Sequence, residues 1–489
     1  MLGRIIIVAA WLTVLGVGLY LRLHDLENRP MHADEATGAR ILAERLEGAD
    51  YKFNPSHFHG PTLSLSTVPL AKLRNESSWS DLSKLTLRLG TVLAGALMIL
   101  TPLLWQARLG HVGALATGAF LASSPLLVYY SRVYIHESWF ALFAMLALAA
   151  LYRLSQRPNI NVALLAGACI GLMYATKETF VITILSWGIG LLVVCLWRRK
   201  LPPVRLYLLP ACIVAATAAF IAALFYSDGF RSFQGIVDAV RTYFVYETAD
   251  GHEKPFFFYL HQMLWPKHAL GIWWTEASIA IFAIFAALRN RHSSTVIFLA
   301  AATVTHLLIY SMIGYKTPWL MLAPWAHACL LAGFVFASKE NKQVPAPIYV
   351  LLVACLGFQA YQSSQASGRF ENDVRNPYAY VPTSQDVESL SIWLKKLPIE
   401  RDAPLAVVGT GYWPLPWYLR SFENIGYWPT TAPELKERDI LLVTPEQQSA
   451  MAALLKDSHT QVPRSLRENF SIHVYLDNEL WQQWMDTED

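Results

Sequence analysis

LYLLPACIVAATAAFIAALFY, residues 206–226, holds not one charged side chain. A helix crossing the hydrocarbon core of a bilayer needs about 20 apolar residues. In lipid only helices and closed barrels satisfy the backbone, and this run is too long and continuous for a barrel strand. It therefore reads as a membrane-spanning helix. Ala94–Trp105, inside a longer apolar run, is uncharged in the same way.

Working outward from that stretch gives about eleven spans: Ile5–Tyr20, Leu85–Trp105, Val112–Tyr130, Trp139–Tyr152, Val162–Ala175, Phe180–Trp197, Leu206–Phe225, Leu270–Leu288, Thr295–Ile313, Trp319–Ala337 and Ile348–Ala360. The composition agrees, with 54% hydrophobic and 15% charged residues among 489, against about 25% charged in soluble domains. The first run follows Arg4 and could pass for a secretory signal. Tyr20, Leu21 and Arg22 offer no small-residue cleavage site, so it is taken as an uncleaved span. The net charge of +3 names no partner and gives no nucleic-acid footprint. The five cysteines, Cys169, Cys195, Cys212, Cys329 and Cys355, lie in apolar runs and read as small buried hydrophobes.

Basic residues set the expected orientation. Arg4, Arg108, Arg153 and Arg157, Arg198 to Lys200 with Arg205, Arg289 and Arg291, then Lys339 and Lys342 fall on alternate loops. The positive-inside rule makes those loops cytoplasmic. The loops Leu21–Lys84, Ser131–Ser138, Thr176–Thr179, Ser227–Ala269 and Gly314–Pro318 are then outside, with the chain beyond about Tyr361. Two domains are expected, a membrane module over 1–365 with the long first loop 21–84, and an extracytoplasmic α/β domain over 366–489. In that tail the strand-like runs Leu405–Val408, Ile440–Thr444 and Ile472–Leu476 alternate with a helix-like run, Glu446–Lys456.

Four polar clusters fall on the outer loops. His32-Ala33-Asp34-Glu35 places two acids at the start of a helix-like stretch, Glu35–Leu46. Sugar transfer needs a carboxylate beside the acceptor hydroxyl to take its proton. Equally, Asp34 could cap the helix while Glu35 favours its positive end. His57-Phe58-His59-Gly60-Pro61 offers histidines for a metal or a phosphate, or is a solvated loop ending in a turn. Ser131-Arg132-Val133-Tyr134-Ile135-His136-Glu137 puts a cation and an acid at a membrane boundary, where charges are costly unless used or paired. Thr176-Lys177-Glu178-Thr179 is either a local ion pair or a phosphate-binding lysine with its orienting acid. Arg88 and Lys316 add outer-side cations, and several such cations could stabilise a leaving lipid phosphate. In the tail, Gly409-Thr410-Gly411 is a poor phosphate-loop signal because the full glycine spacing is absent. Trp413–Arg420 is aromatic surface for sugar stacking or, by default, for docking the tail on the rest.

Taken in order, the acidic pair, the His-Gly-Pro segment, Leu87-Arg88-Leu89, and Ser124-Pro125 leading to Tyr130-Ser131-Arg132 resemble the GT-C superfamily, which includes protein O-mannosyltransferases and aminoarabinose transferases of lipid A. Asn376–Thr383 and Trp413–Arg420 are similar to a prokaryotic subfamily of flippase-activity-associated proteins. The resemblance spans nearly the whole chain. It implies an all-α polytopic membrane fold with a small α/β domain. The activity it implies is inverting transfer of a sugar from a polyprenyl-phosphate donor, beside membrane lipid, to a glycan, lipid or protein acceptor. It makes Asp34 the catalytic base candidate with Glu35 beside it, and Arg88, Arg132, Lys177, Lys316 and His59 candidate phosphate contacts. Glu137 and Glu178 become supporting acids. Some members use a divalent metal and some do not; His57, His59 and Glu137 are the candidate ligands here. The aminoarabinose relatives carry a Lys-Pro-Pro-like segment where this chain has His59-Gly60-Pro61, which puts that contact in doubt. Two other readings compete. A transport or flippase component would need charges lining a path open to both faces. A non-catalytic assembly partner would scatter Asp34, Arg88 and Lys177.

Overall fold

Uncharged stretches of this length fold as helices because each then closes its own backbone hydrogen bonds. The computed structural model describes residues 2–201, 203–246, 251–337, 344–399 and 403–488. The chain begins with α1 (Leu2–Leu23), α2 (Ala33–Leu46), α3 (Thr62–Leu73), α4 (Lys84–Leu100), α5 (Gln106–Ser123), α6 (Pro125–Ser131), α7 (Glu137–Gln156), α8 (Ile160–Thr176), α9 (Phe180–Arg198) and α10 (Val204–Tyr226). After α11 (Gln234–Val245) and α12 (Phe258–Leu264) comes a hairpin of β1 (Lys267–Ala269) and β2 (Ile272–Trp274). Then follow α13 (Ala277–Arg289), α14 (Ser294–Met312), α15 (Leu322–Gly333) and α16 (Ala346–Ala366).

Eight helical stretches among the described residues are long and apolar enough to cross a membrane. One, Lys84–Ser123, holds both α4 and α5. Gly110 interrupts it at φ +70°, a conformation that suits glycine. Beyond that break Gly118 packs back against Ile99, so the stretch supplies two expected spans. With α8 and α13, which are shorter, every expected span has a helix. Two spans differ in their limits from those expected. Leu270–Trp274 belongs to the hairpin, so the eighth span begins at Ala277. Val112–Tyr130 is broken at Ser124, where proline enters at the first position of α6.

The bundle is graded. Of the stretch Pro318–Phe336, 94% is buried, whereas only 11% of Arg205–Tyr226 is. Thus α15 is the hub, packing on α5, α7, α13 and α14, and α10 turns Leu206, Leu208 and Leu209 outward. All five cysteines are free thiols, but Cys212 is exposed on that outward surface rather than buried.

The break at Ser124 leaves helix ends inside the bundle, where an unpaired backbone group costs several kcal/mol. Both ends are satisfied by side chains. Arg22 donates to the carbonyls of Leu121 and Ala122 at 2.9 and 3.0 Å. Glu276 accepts from the Leu126 amide at 2.8 Å, from the Ser124 hydroxyl at 2.6 Å and from the Trp325 indole at 2.6 Å. A guanidinium thus sits at the carbonyl end and a carboxyl group at the amide end, each beside the helix terminus whose backbone groups it meets.

Alternate loops gather at opposite ends. At one end Arg153 reaches the Leu104 carbonyl (3.3 Å), Arg108 reaches Ser293 (3.4 Å) and Tyr207 reaches the Ser155 carbonyl (2.9 Å). Lys339 and Lys342, expected with this group, lie outside the described residues. The other end carries the first loop and the tail.

The tail holds α17 (Gln385–Leu394), β3 (Leu405–Val408), α18 (Leu415–Leu419), β4 (Ile425–Trp428), β5 (Ile440–Val443), α19 (Gln448–Leu455), β6 (His459–Arg467), β7 (Phe470–Asp477) and α20 (Asn478–Glu488). The sheet order is β4-β3-β5-β7-β6. β3 runs parallel to β4 and β5, with Leu405 opposite Ile425 and Ile440, while β7 is antiparallel to β5 and β6. β3 and β5 are buried along their whole length, as unbroken apolar runs in parallel strands should be. Alternate residues divide between two cores. Ala406, Val408, Leu441 and Val443 face Leu435, Met451 and Leu455. Leu405, Val407, Ile440 and Leu442 join a core shared with Met31, Leu42 and Leu63 of the first loop.

That shared core is locked by polar contacts. Tyr418 accepts from the Met31 amide at 2.8 Å, Thr383 donates to the Met31 carbonyl at 2.7 Å, and Lys84 pairs with Glu388 at 2.5 Å. The aromatic segment Trp413–Arg420 therefore does dock the tail on the first loop. The Gly409-Thr410-Gly411 turn has no room for a phosphate reading, since the Thr410 amide is held by the Glu446 carboxylate at 3.0 Å.

Candidate active site

α2 starts at a capping box, and the residues filling it decide which acid is free. His32 is the cap: its Nδ1 accepts from the Asp34 amide at 3.2 Å, while Glu35 reaches back to the His32 amide at 3.0 Å. Asp34 is therefore not the cap. Its carboxylate takes no hydrogen bond among the described residues; His32 Nδ1 at 3.8 Å is its nearest cation-capable group, and its side chain is 54% exposed.

Glu35 has the opposite surroundings. It is wholly buried, and Arg88 holds it at 2.9 Å on each oxygen, with Arg29 at 3.2 Å and the Tyr134 amide at 2.9 Å. Burial works to raise its pKa, but Arg88 and Arg29 outweigh this and hold the carboxyl far below the ordinary range. Neighbouring helix positions point about 100° apart, so one acid faces a cavity and the other the interior. Glu35 is thus buried and held by Arg88 and Arg29, away from the cavity that Asp34 faces.

Three cations expected at a phosphate are likewise committed elsewhere. Arg88 is buried and also donates to the carbonyls of Leu26, Arg29 and Pro30 at 2.8, 3.1 and 3.2 Å. Arg132 ties the Arg22, His24 and Asp25 carbonyls to Glu371. Lys316 donates to the carbonyls of Lys254, at 2.9 Å, and Ile313. None of the three lines the cavity that gathers the other candidates, and the sequence carried no sign of the carbonyls they meet.

The remaining candidates converge. A cavity of about 630 Å³ is lined by Asp34, His57, His59, Glu137, Lys177 and Glu178, drawn from four separate segments. Lys177 pairs with Glu137 at 2.5 Å and His59 Nδ1 with Glu178 at 3.0 Å. For Lys177 burial disfavours the charge, but Glu137 and Glu178 outweigh it and keep the ammonium protonated. Glu178 is likewise opposed by burial, yet the attraction and hydrogen bond of His59, helped by Lys177, bring it down to about 2. His136 is the reverse case: burial, then repulsion from His59 and Lys177, pushes it well below the ordinary range, so it stays neutral. It shares a hydrogen bond with the Gly60 carbonyl at 3.2 Å. Gly60 is required here, because a Cβ would lie 2.1 Å from the Ala175 carbonyl oxygen.

The cavity walls are otherwise apolar and aromatic, with Phe58, Ile182, Ile313, Tyr246, Tyr310 and Trp319. The sequence reading missed these aromatics, although Tyr315 and Trp319 flank the lysine it did choose. The metal reading finds no support: among the described residues no group of three or more His, Cys, Asp or Glu is arranged to hold an ion. Glu137 is committed to Lys177, and His59 to Glu178.

A second cavity, of about 430 Å³, lies toward the sheet and shares Asp34, Tyr315 and Trp319 with the first. Asp34, whose carboxylate takes no hydrogen bond among the described residues, thus stands where two cavities meet.

The family model described as dolichyl-phosphate-mannose-protein mannosyltransferase matches residues 77–226, from late in the first loop to the end of α10. In structure the chain is similar to ArnT from Cupriavidus metallidurans in the apo state, with TM-score 0.63, 14% identity, and 96% of this chain and 97% of that one covered. It is also similar to the same protein bound to undecaprenyl phosphate, with TM-score 0.61, 16% identity and 98% of both chains. The archaeal oligosaccharyltransferase AglB from Archaeoglobus fulgidus, in complex with an inhibitory peptide and a dolichol-phosphate, gives TM-score 0.52 and 13% identity over 92% of this chain and 71% of that one. No curated protein matches the sequence. At such identities the likeness establishes a shared fold.

Proposed function

From the premise that this integral membrane chain carries the GT-C glycosyltransferase fold, we propose that it transfers a sugar from a polyprenyl-phosphate donor to an acceptor hydroxyl, with inversion. The observation that carries the reading is the free Asp34 carboxylate at the meeting of two cavities. The first cavity suits the donor. Phe58, Ile182 and Ile313 offer apolar wall to the start of an isoprenoid, and Lys177 and His59 offer cationic or hydrogen-bonding partners to its phosphate.

In the step proposed, Asp34 takes the proton of the acceptor hydroxyl as that oxygen bonds to the anomeric carbon. The bond from this carbon to the phosphate oxygen breaks, and its electron pair leaves with polyprenyl phosphate. The leaving group gains one negative charge, which the Lys177 ammonium is placed to meet. A single displacement from the face opposite the phosphate inverts the anomeric centre. Glu137 and Glu178 hold Lys177 and His59 in position. The basic loops at the far end of the bundle support a cytoplasmic placement for that end and an inner-membrane location, with the N-terminus inside. The site and the tail, as a domain over 366–489, then face outward.

The test is transfer of a labelled sugar from a polyprenyl-phosphate donor by purified protein in lipid nanodiscs. Asp34→Asn is expected to lower turnover by roughly 10²–10⁴-fold. Full turnover by that variant would sink the assignment.

A further inference from the structure

The cavity on the sheet side differs in character from the first. Its walls combine the bundle residues His252, Tyr315 and Trp319 with Thr383, Trp413 and Arg467 from the tail. Trp319 is fixed edge-on between Tyr130 and Tyr380, with ring centres 5.7 and 5.5 Å away. Trp413 is half-buried. Two indoles and a tyrosine beside the polar groups of His252, Thr383 and Arg467 suit the faces of sugar rings, which are apolar while their edges hydrogen-bond. His252 bonds the Tyr380 hydroxyl through Nδ1 at 2.7 Å, leaving Nε2 for a sugar hydroxyl.

Arg467 makes the cavity selective. Its guanidinium lies 4.2 Å from the centre of the Phe470 ring and donates to the Gly411 and Trp413 carbonyls at 3.3 and 3.4 Å. No carboxylate pairs with it within 4.0 Å among the described residues. It is therefore a positioned positive charge that feels the Glu446 carboxylate only beyond ion-pair distance, on a wall of the cavity that also contains Asp34. Asp34 repels an acid placed beside the reacting hydroxyl, and Arg467 attracts one placed away from it.

We infer that this cavity is the acceptor subsite and takes an acidic saccharide, with a ring against Trp413, the acid on Arg467 and a neutral hydroxyl at Asp34. The inference rests on the transferase reading for the role of the site, though not for binding itself. Its volume, about 430 Å³, lies within the range of small-ligand sites.

The test uses the full chain in nanodiscs and two probes, a tetrasaccharide containing glucuronic acid and its carboxyl-reduced neutral counterpart. The acidic probe is expected to bind about tenfold tighter or more, as charge-assisted hydrogen bonds allow. Arg467→Gln should abolish that preference and Arg467→Lys should restore most of it, which separates charge from a misplaced 411–413 loop. Trp413→Ala should weaken both probes. Equal affinity for the two probes, no binding of either, or an undiminished preference in Arg467→Gln would overturn the inference. Binding of the acidic probe without any use of a polyprenyl donor would instead fail the transferase reading alone.

Discussion

Asp34 and Glu35 are adjacent acids, and replacing each by its amide should give opposite phenotypes. Glu35→Gln removes the counter-charge of two guanidiniums, one of them held at 2.9 Å on both oxygens and the other at 3.2 Å. Glutamine keeps one acceptor, and its amide group turns N–H donors against the N–H groups of Arg88, His32 or Tyr134. Breaking one side of a buried pair costs about 3–5 kcal/mol. At roughly 2 °C per kcal/mol for a large chain, the thermal transition should fall by about 6–10 °C. Asp34→Asn breaks no hydrogen bond of its carboxylate among the described residues, only the 3.8 Å approach of His32, and should stay within about 0.5 kcal/mol of the parent. The assay is thermal unfolding of each variant in nanodiscs, with turnover measured per folded molecule. Glu35→Gln should lose stability and keep most of its specific turnover below its transition, while Asp34→Asn should do the reverse. A stable Glu35→Gln protein with no turnover would refute the division of roles.

Lys177→Met should also destabilise by about 3–5 kcal/mol, because Glu137 is left buried without its cation; adding Glu137→Gln should recover most of the stability but not the turnover, read by a double-mutant cycle of melting and transfer assays. Gly60→Ala should cost about 1–3 kcal/mol or block folding, since its methyl group meets the Ala175 backbone rather than a side chain that can move; size-exclusion profile and melting temperature report it. His136 is held neutral in the fold while the unfolded chain takes up a proton near pH 6.5. Its contribution is therefore full above that pH and lost as pH falls. Melting temperature should decline from pH 7 to 5, and His136→Gln should flatten the slope.

The membrane helices were legible because charge-free length is a one-dimensional property of the chain. The errors came where a span is locally compromised. Leu270–Trp274 is apolar enough to pass for helix, but Gly271 at φ +75° closes a hairpin there. In the tail, β3 and β5 were readable as unbroken apolar runs, whereas β6 carries Pro463 and alternating exposed residues, as an edge strand does. β4, as short as β3 and β5, is only partly buried and includes Gly426. For the site, the segments that meet at the cavity were legible, whereas which side chain of each segment faces it was not. Asp34 and Glu35 look alike in sequence, and only the His32–Glu35 capping-box spacing could have separated them. Arg88, Arg132 and Lys316 stand at span ends just as Lys177 does. What distinguishes them is a set of backbone carbonyls brought from distant segments, which no local pattern records.

The side-chain seal around Ser124 sets a schedule for biosynthesis. Arg22 is already made when α5 and α6 emerge, so the carbonyl end of the break can close at once. The amide of Leu126 must wait for Glu276, 150 residues later. At 5–20 residues per second this interval is roughly 8–30 s. Until then that amide lacks the carboxylate that accepts from it, and α13 arrives with Glu276 at its head as the segment that closes the break.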